Sequence, residues 1–185
     1  MENKTALIIT HKQCNDGLTA AWVIKDHFKN QGIELKEEDI YFLAHTGEQL
    51  EDLEQLGFWQ KLHDHPEIET IYVTDFSLHF DPLNLISCLF PHVKIVEIDH
   101  HKTAFERDQS TINAIDALKS AGRYESYMDN RMSGAVLTWL YSIKVIVIKI
   151  LITSVRKNWI TCSIKPYQNG SSISKTVISG NGIIH

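Results

Sequence analysis

Asp99-His100-His101 sets one carboxylate and two imidazoles on consecutive residues, and three more groups of the same kinds, His11, Asp16 and Asp75, precede it. Carboxylates suit hard divalent cations such as Mn²⁺ and Mg²⁺, Mn²⁺ also accepts imidazole, and pairs of such ions held by a shared carboxylate serve phosphoryl transfer. Asp75, fixed at the end of an apolar run, is placed to be that bridge. Taken singly, each residue has a plainer reading. His11 reads as a capping or core histidine, Asp75 as the N-cap of a turn, and Asp99-His100-His101 as a polar turn. Position at the end of the first apolar run separates His11 from His27, His45, His63, His65, His79 and His92.

Those runs are the elements that must position the set. Ala6–Thr10, Ile71–Thr74 and Val93–Ile98 are rich in β-branched residues and too short for independent helices, so they read as strands buried in a sheet. Ile40–Ala44 adds a fourth. Between them Leu18, Ala21, Trp22 and Phe28 recur near a helical period, as do Leu50, Leu53, Leu56, Trp59 and Leu62. Asp81 as N-cap and Pro82 in the first turn begin a further helix, and residues 103–130 read as a helical or irregular connection. Ser133 caps a helix through Tyr141. Trp22 and Trp139 fall on apolar helix faces and read as core. Strands alternating with helices predict an α/β fold, Rossmann-like, with a mostly parallel sheet and helices on both faces. Ligands in such sheets bind beyond the carboxyl ends of the strands, where His11, Asp75 and Asp99 all stand.

Charge divides the chain. All the acidic residues lie at or before Asp129, giving that part a net charge of -12, whereas residues 130–185 carry +7. An acidic main body repels a phosphate backbone, which argues against duplex nucleic acid as a partner and for a metal at any phosphate site. Cys14, Cys88 and Cys162 form no CxxC pair and no leader precedes Ala6, so a cytoplasmic protein is expected. Residues 134–153 approach the length of a membrane span, but Lys144 and Lys149 interrupt them, and a buried strand or helix is expected there with no membrane partner. Residues 1–141 read as one domain and 142–185 as a basic, isoleucine-rich tail, poorly ordered after Pro166.

Three segments, Thr10-His11-Lys-Gln-Cys14-Asn-Asp16-Gly17, Val73-Thr-Asp75 and Ile98-Asp99-His100-His101-Lys102, resemble in order and spacing the first three motifs of the DHH phosphoesterases. Met128-Asp129-Asn130-Arg-Met-Ser133-Gly134-Ala135 with the helix after it is similar to the segment following the third motif in small nanoRNase-type members. The resemblance covers roughly residues 5–141. It implies two Mn²⁺ or Mg²⁺ ions, one held by His11 and Asp75, the other by Asp16, Asp75 and His100. His101 would face the scissile phosphate, Asp99 would support the histidine pair, and the substrate would be a small nucleotide or short single-stranded oligonucleotide.

The chain departs from that pattern in two places. Many members carry Asp where this sequence has Cys14, although a subgroup resembling this sequence also uses Cys there; a thiolate is a soft ligand that suits Mn²⁺ poorly, so the ligand set implied by the resemblance leaves open whether Cys14 joins it. The family's fourth-motif Asp and its carboxyl-terminal substrate domain have no counterpart, since no acid follows Asp129. Lys157-Asn158-Trp159 is the nearest echo, and the tail has the composition of a truncated or frame-shifted reading. These departures define an alternative, a non-catalytic metal- and nucleotide-binding remnant. A pyrophosphatase of the same superfamily lacks support without a basic carboxyl-terminal domain.

Overall fold

The computed structural model describes residues 5–44 and 48–162, the last part, 149–162, as backbone alone. The chain divides into two compact units, Met1–Val147 and Ile148–His185. Within the second unit the described residues are helical as far as Cys162; the tail character expected after Pro166 lies outside the described residues.

Five parallel strands, β1 (Thr5–His11), β2 (Ile40–Leu43), β3 (Ile68–Thr74), β4 (Lys94–Asp99) and β5 (Tyr124–Met128), form one sheet in the order β2-β1-β3-β4-β5. The helices are α1 (Asn15–Lys29), α2 (Gln49–Gln55), α3 (Phe58–Asp64), α4 (Phe80–Leu89), α5 (Gln109–Ser120) and α6 (Gly134–Cys162). Side-chain alternation sends Leu7 and Ile9 of β1 to one face of the sheet and Ala6 and Ile8 to the other. The first face is covered by Leu53 of α2, Phe58 and Leu62 of α3, Leu83 and Ile86 of α4 and Ile115 and Leu118 of α5. Ala21, Ile24 and Phe28 of α1 and Leu137 and Tyr141 of α6 cover the second. A central strand covered on both sides has no solvent face, which is why Ala6–Ile9 reads as an unbroken apolar run. The α/β architecture with a parallel sheet and helices on both faces is therefore the one expected from the sequence.

Several local expectations are corrected. Residues 103–130 contain the helix α5 and also a fifth strand, β5, paired with β4 from Ile95–Tyr124 to Asp99–Met128. Tyr-Glu-Ser-Tyr-Met carries little apolar signal because β5 is an edge strand, with Glu125 ion-paired to Lys94 at 2.8 Å. Asp81 is in the first turn of α4 rather than at its N-cap, which is His79. The leucine pattern 50–62 is two helices broken at Gly57, whose φ of +73° ends the first.

Trp22 and Trp139 are not core residues; they are 64% and 54% exposed. The stripe of α1 that meets the sheet is Gly17, Ala20, Ala21, Ile24 and Phe28, whose small members let the helix approach, and Trp22 lies about 100° round from Ala21. Residues 143–148 continue α6, and Ile143, Ile146, Val147 and Ile148 are exposed rather than buried. Among the described residues no helix is long and apolar enough to cross a membrane.

Candidate metal centre

The order β2-β1-β3 reverses the direction of winding between β1 and β3, so the crevice beyond the carboxyl ends of these neighbours is the switch point of the sheet. His11 ends β1 and Asp75 follows β3 directly. The Thr10 hydroxyl lies 2.9 Å from the carbonyl oxygens of both Gly17 and Thr74, fastening the end of β1 to α1 and β3.

Asp75 is the centre of the group. Its backbone takes a φ of +53°, a left-handed conformation that Asp tolerates better than most residues, and its amide donates to the Ile98 carbonyl at 2.9 Å. Its side chain is fully buried. The Cys14 thiol donates to Oδ2 at 3.4 Å, while Oδ1 lies 3.0 Å from His100 Nε2 without forming a hydrogen bond. Burial, reinforced by the negative charge of Asp16, pushes the Asp75 carboxyl above the ordinary carboxylate range, against the smaller pull of the Cys14 thiol, His101 and His100. A buried anion beside a second anion, with one oxygen making no hydrogen bond, is the environment that a bound cation relieves.

Two sets of ligand atoms meet there. Those of His11, Cys14 and Asp75 lie within 4.8 Å of one another, and so do those of Asp75, His100 and His101. Asp75 belongs to both. The His11 and His101 rings stand edge to face with centroids 6.0 Å apart, and those of His100 and His101 are 4.4 Å apart. The arrangement offers places for one or two divalent ions around a shared carboxylate, and the donors, imidazole, carboxylate and thiol, fit such ions.

Asp99 is buried behind His101. One oxygen receives the His100 and His101 amides at 2.8 and 3.2 Å and lies 2.7 Å from His101 Nδ1; the other receives the Ser77 hydroxyl at 2.5 Å. A proton on Nδ1 shared with Asp99 leaves Nε2 as the ring's lone-pair nitrogen. Asp16 stands at the rim, 3.7 Å from His100 Nε2. Its two oxygens receive the backbone amides of Gly134 and Ala135 at 2.8 and 2.9 Å, so its carboxylate closes the first turn of α6. The structure thus gathers His11, Asp75, His100 and His101, adds Cys14, sets Asp99 behind His101, and gives Asp16 a backbone-capping task beside the cluster.

Sequence reasoning passed over the layer that supports these residues. Arg107 donates to Ser77 Oγ at 3.1 Å and also to Glu97, which is fully buried and receives the Tyr124 hydroxyl at 2.5 Å. Burial holds the Glu97 carboxyl above its ordinary value despite Arg107 and Tyr124. A charge inside the apolar run Val93–Ile98 was the available signal; its partner, from the loop before α5, was not. Gly134 is required for contact, since a Cβ there would lie 2.4 Å from Asp75 Oδ1 and 2.7 Å from Asp75 Cβ. A cavity of about 520 Å³ adjoins His101 and is lined also by Ser77, His79, Thr103 and Arg107. No family model matches the chain, and no curated protein resembles it closely enough to count as a relative.

Proposed function

We propose that the protein is a metal-dependent phosphoesterase of the DHH type, hydrolysing phosphodiester bonds of short single-stranded oligonucleotides or small nucleotides with two ions, Mn²⁺ or Mg²⁺. The observation that carries this reading is Asp75, a buried carboxylate common to two ligand sets at the switch point of a parallel sheet. Paired divalent ions, when bound, neutralise phosphate charge and activate water for in-line attack. The residues would divide the work. Asp75 would be shared between the ions, His11 and His100 would each help to hold one, and Asp16 would keep the start of α6 against them. Asp99 fixes Nδ1 of His101, so that Nε2 is the nitrogen that would first take up a proton and then give it, or a hydrogen bond from it, to a phosphate oxygen. The cavity beside His101 has the volume of a small-molecule site and would receive the nucleotide.

A second reading, a metal- and nucleotide-binding module without turnover, draws on one observation: both oxygens of Asp16 are engaged by backbone amides, which leaves Asp75 as the only carboxylate in the two ligand sets. Hydrolysis of bis(p-nitrophenyl) phosphate by the purified protein with Mn²⁺, set against Asp75→Ala, separates the two. Turnover that the variant loses supports the enzyme. Mn²⁺ binding without turnover supports the module.

A further inference from the structure

The two ligand sets around Asp75 differ in chemistry. His100 and His101 join Asp75 as a nitrogen and oxygen set, whereas the other set contains sulfur. Cys14 stands at the head of α1, where Gln13 takes a φ of +58° and turns the chain back toward the end of β1. Its Sγ is 3.4 Å from Asp75 Oδ2. A tetrahedral ion with a sulfur ligand at about 2.3 Å and an oxygen ligand at about 2.1 Å holds those two atoms roughly 3.5 Å apart. The pair therefore already has the separation of one edge of such a site. Asp75, fully buried and with Oδ1 making no hydrogen bond, supplies the independent sign that the cluster is built for a cation.

We infer that Cys14, as a thiolate, is the third protein ligand of the His11–Asp75 position, and that this position takes a thiophilic divalent ion, Zn²⁺, Co²⁺ or Fe²⁺, in preference to Mn²⁺ or Mg²⁺. The inference rests on the metal-centre reading above. On binding, the thiol proton leaves to solvent and a sulfur–metal bond replaces the hydrogen bond to Asp75. Soft thiolate favours these ions, while the position between Asp75 and His100 keeps its affinity for harder ones, so the centre is asymmetric and would hold two different metals. The poor match of a thiolate to Mn²⁺ thus selects which metal this position takes.

The test is titration of the full-length, metal-stripped protein with Co²⁺ while the near-ultraviolet thiolate-to-cobalt charge-transfer absorption is followed. Wild type should develop the band, Cys14→Ser should lose it, and Cys88→Ser should keep it. Zn²⁺ affinity at that position should fall in Cys14→Ser by more than the about 10–100-fold that loss of an outer-shell partner costs. In Cys14→Asp, which restores an anionic oxygen ligand, the preference should move toward Mn²⁺, and circular dichroism would establish that the variants are folded. Co²⁺ binding without the band, or a band that survives Cys14→Ser, would overturn the thiolate assignment and leave the phosphoesterase reading standing. Failure to bind Co²⁺, Zn²⁺ or Mn²⁺ at all would overturn both.

Discussion

Asp16, in the first turn of α1, caps a helix that begins 118 residues later: its carboxylate receives the Gly134 and Ala135 amides at 2.8 and 2.9 Å. Two of the orphan donors at the start of α6 are thereby satisfied by a charged acceptor, and that charge faces the positive end of the helix dipole. The same contact holds Gly134 against Asp75, at a distance only a residue without Cβ can accept.

Asp16→Ala should therefore weaken the fold by about 1–2 kcal/mol, the usual cost of a lost cap, and Asp16→Asn, which keeps an acceptor, by less. Urea denaturation measures this. Metal titration of both variants should show Mn²⁺ affinity falling in parallel, because a displaced α6 no longer confines Asp75. An Ala variant with unchanged stability would mean that water replaces the cap at no cost.

The Arg107–Glu97 pair should behave as a buried ion pair does. Arg107→Met strands a carboxylate that is fully buried, and a loss of about 3–5 kcal/mol is expected. Glu97→Gln combined with Arg107→Met should recover much of it, since the uncompensated charge is then gone. Denaturation of the two variants side by side measures the difference; equal losses would show that Arg107 acts mainly through Ser77 and Asp99.

How far such relationships are readable from the chain depends on range. His11, Asp75 and Asp99 each follow a β-branched run, so the sheet and their convergence at its carboxyl end were legible from local pattern together with one topological rule. Cys14 was legible with His11 at the same strand end, but not the direct contact of its thiol with Asp75 Oδ2, which depends on the fold around Gln13 and Asp75, both with left-handed backbone. Tyr124–Met128 escaped detection because an edge strand keeps polar residues. Trp22 was misplaced for a different reason: apolar spacing on α1 defines a wide arc, and which part of it meets the sheet was decided by the small residues Gly17, Ala20 and Ala21.

Tyr72 reports on the seating of α6. It lies on β3 with its ring 6.3 Å from that of Tyr141 on α6 and 5.7 Å from that of Phe28 on α1, and burial, with Glu125 nearby, pushes its hydroxyl up to about 12. The folded protein keeps this proton through an interval in which the unfolded chain, with an ordinary value of about 10, gives it up. Its contribution to stability is thus intact below the unfolded value and is lost as pH rises through the folded one. Tyr72→Phe should flatten the alkaline decline, though not abolish it, because burial raises Tyr141 and Tyr124 as well. Urea midpoints across that interval would show it; identical slopes in both proteins would place Tyr72 in contact with water.

Asp75 sets stability against binding, and the two should separate by mutation. In the metal-free protein its carboxylate is buried beside Asp16 and its pKa is raised, so the ionised form is held at a cost. Asn tolerates the same left-handed backbone and carries no charge, hence Asp75→Asn should unfold at a higher temperature than wild type when both are stripped of metal. Adding Mn²⁺ should reverse the order. A ligand at 100 times its dissociation constant stabilises the folded state by about 2.7 kcal/mol, and only wild type has the anion proposed to bind it. Differential scanning calorimetry with and without Mn²⁺ gives all four values. If the metal raised both melting temperatures equally, Asp75 would not be a ligand, because an amide oxygen cannot replace a bridging carboxylate between two cations.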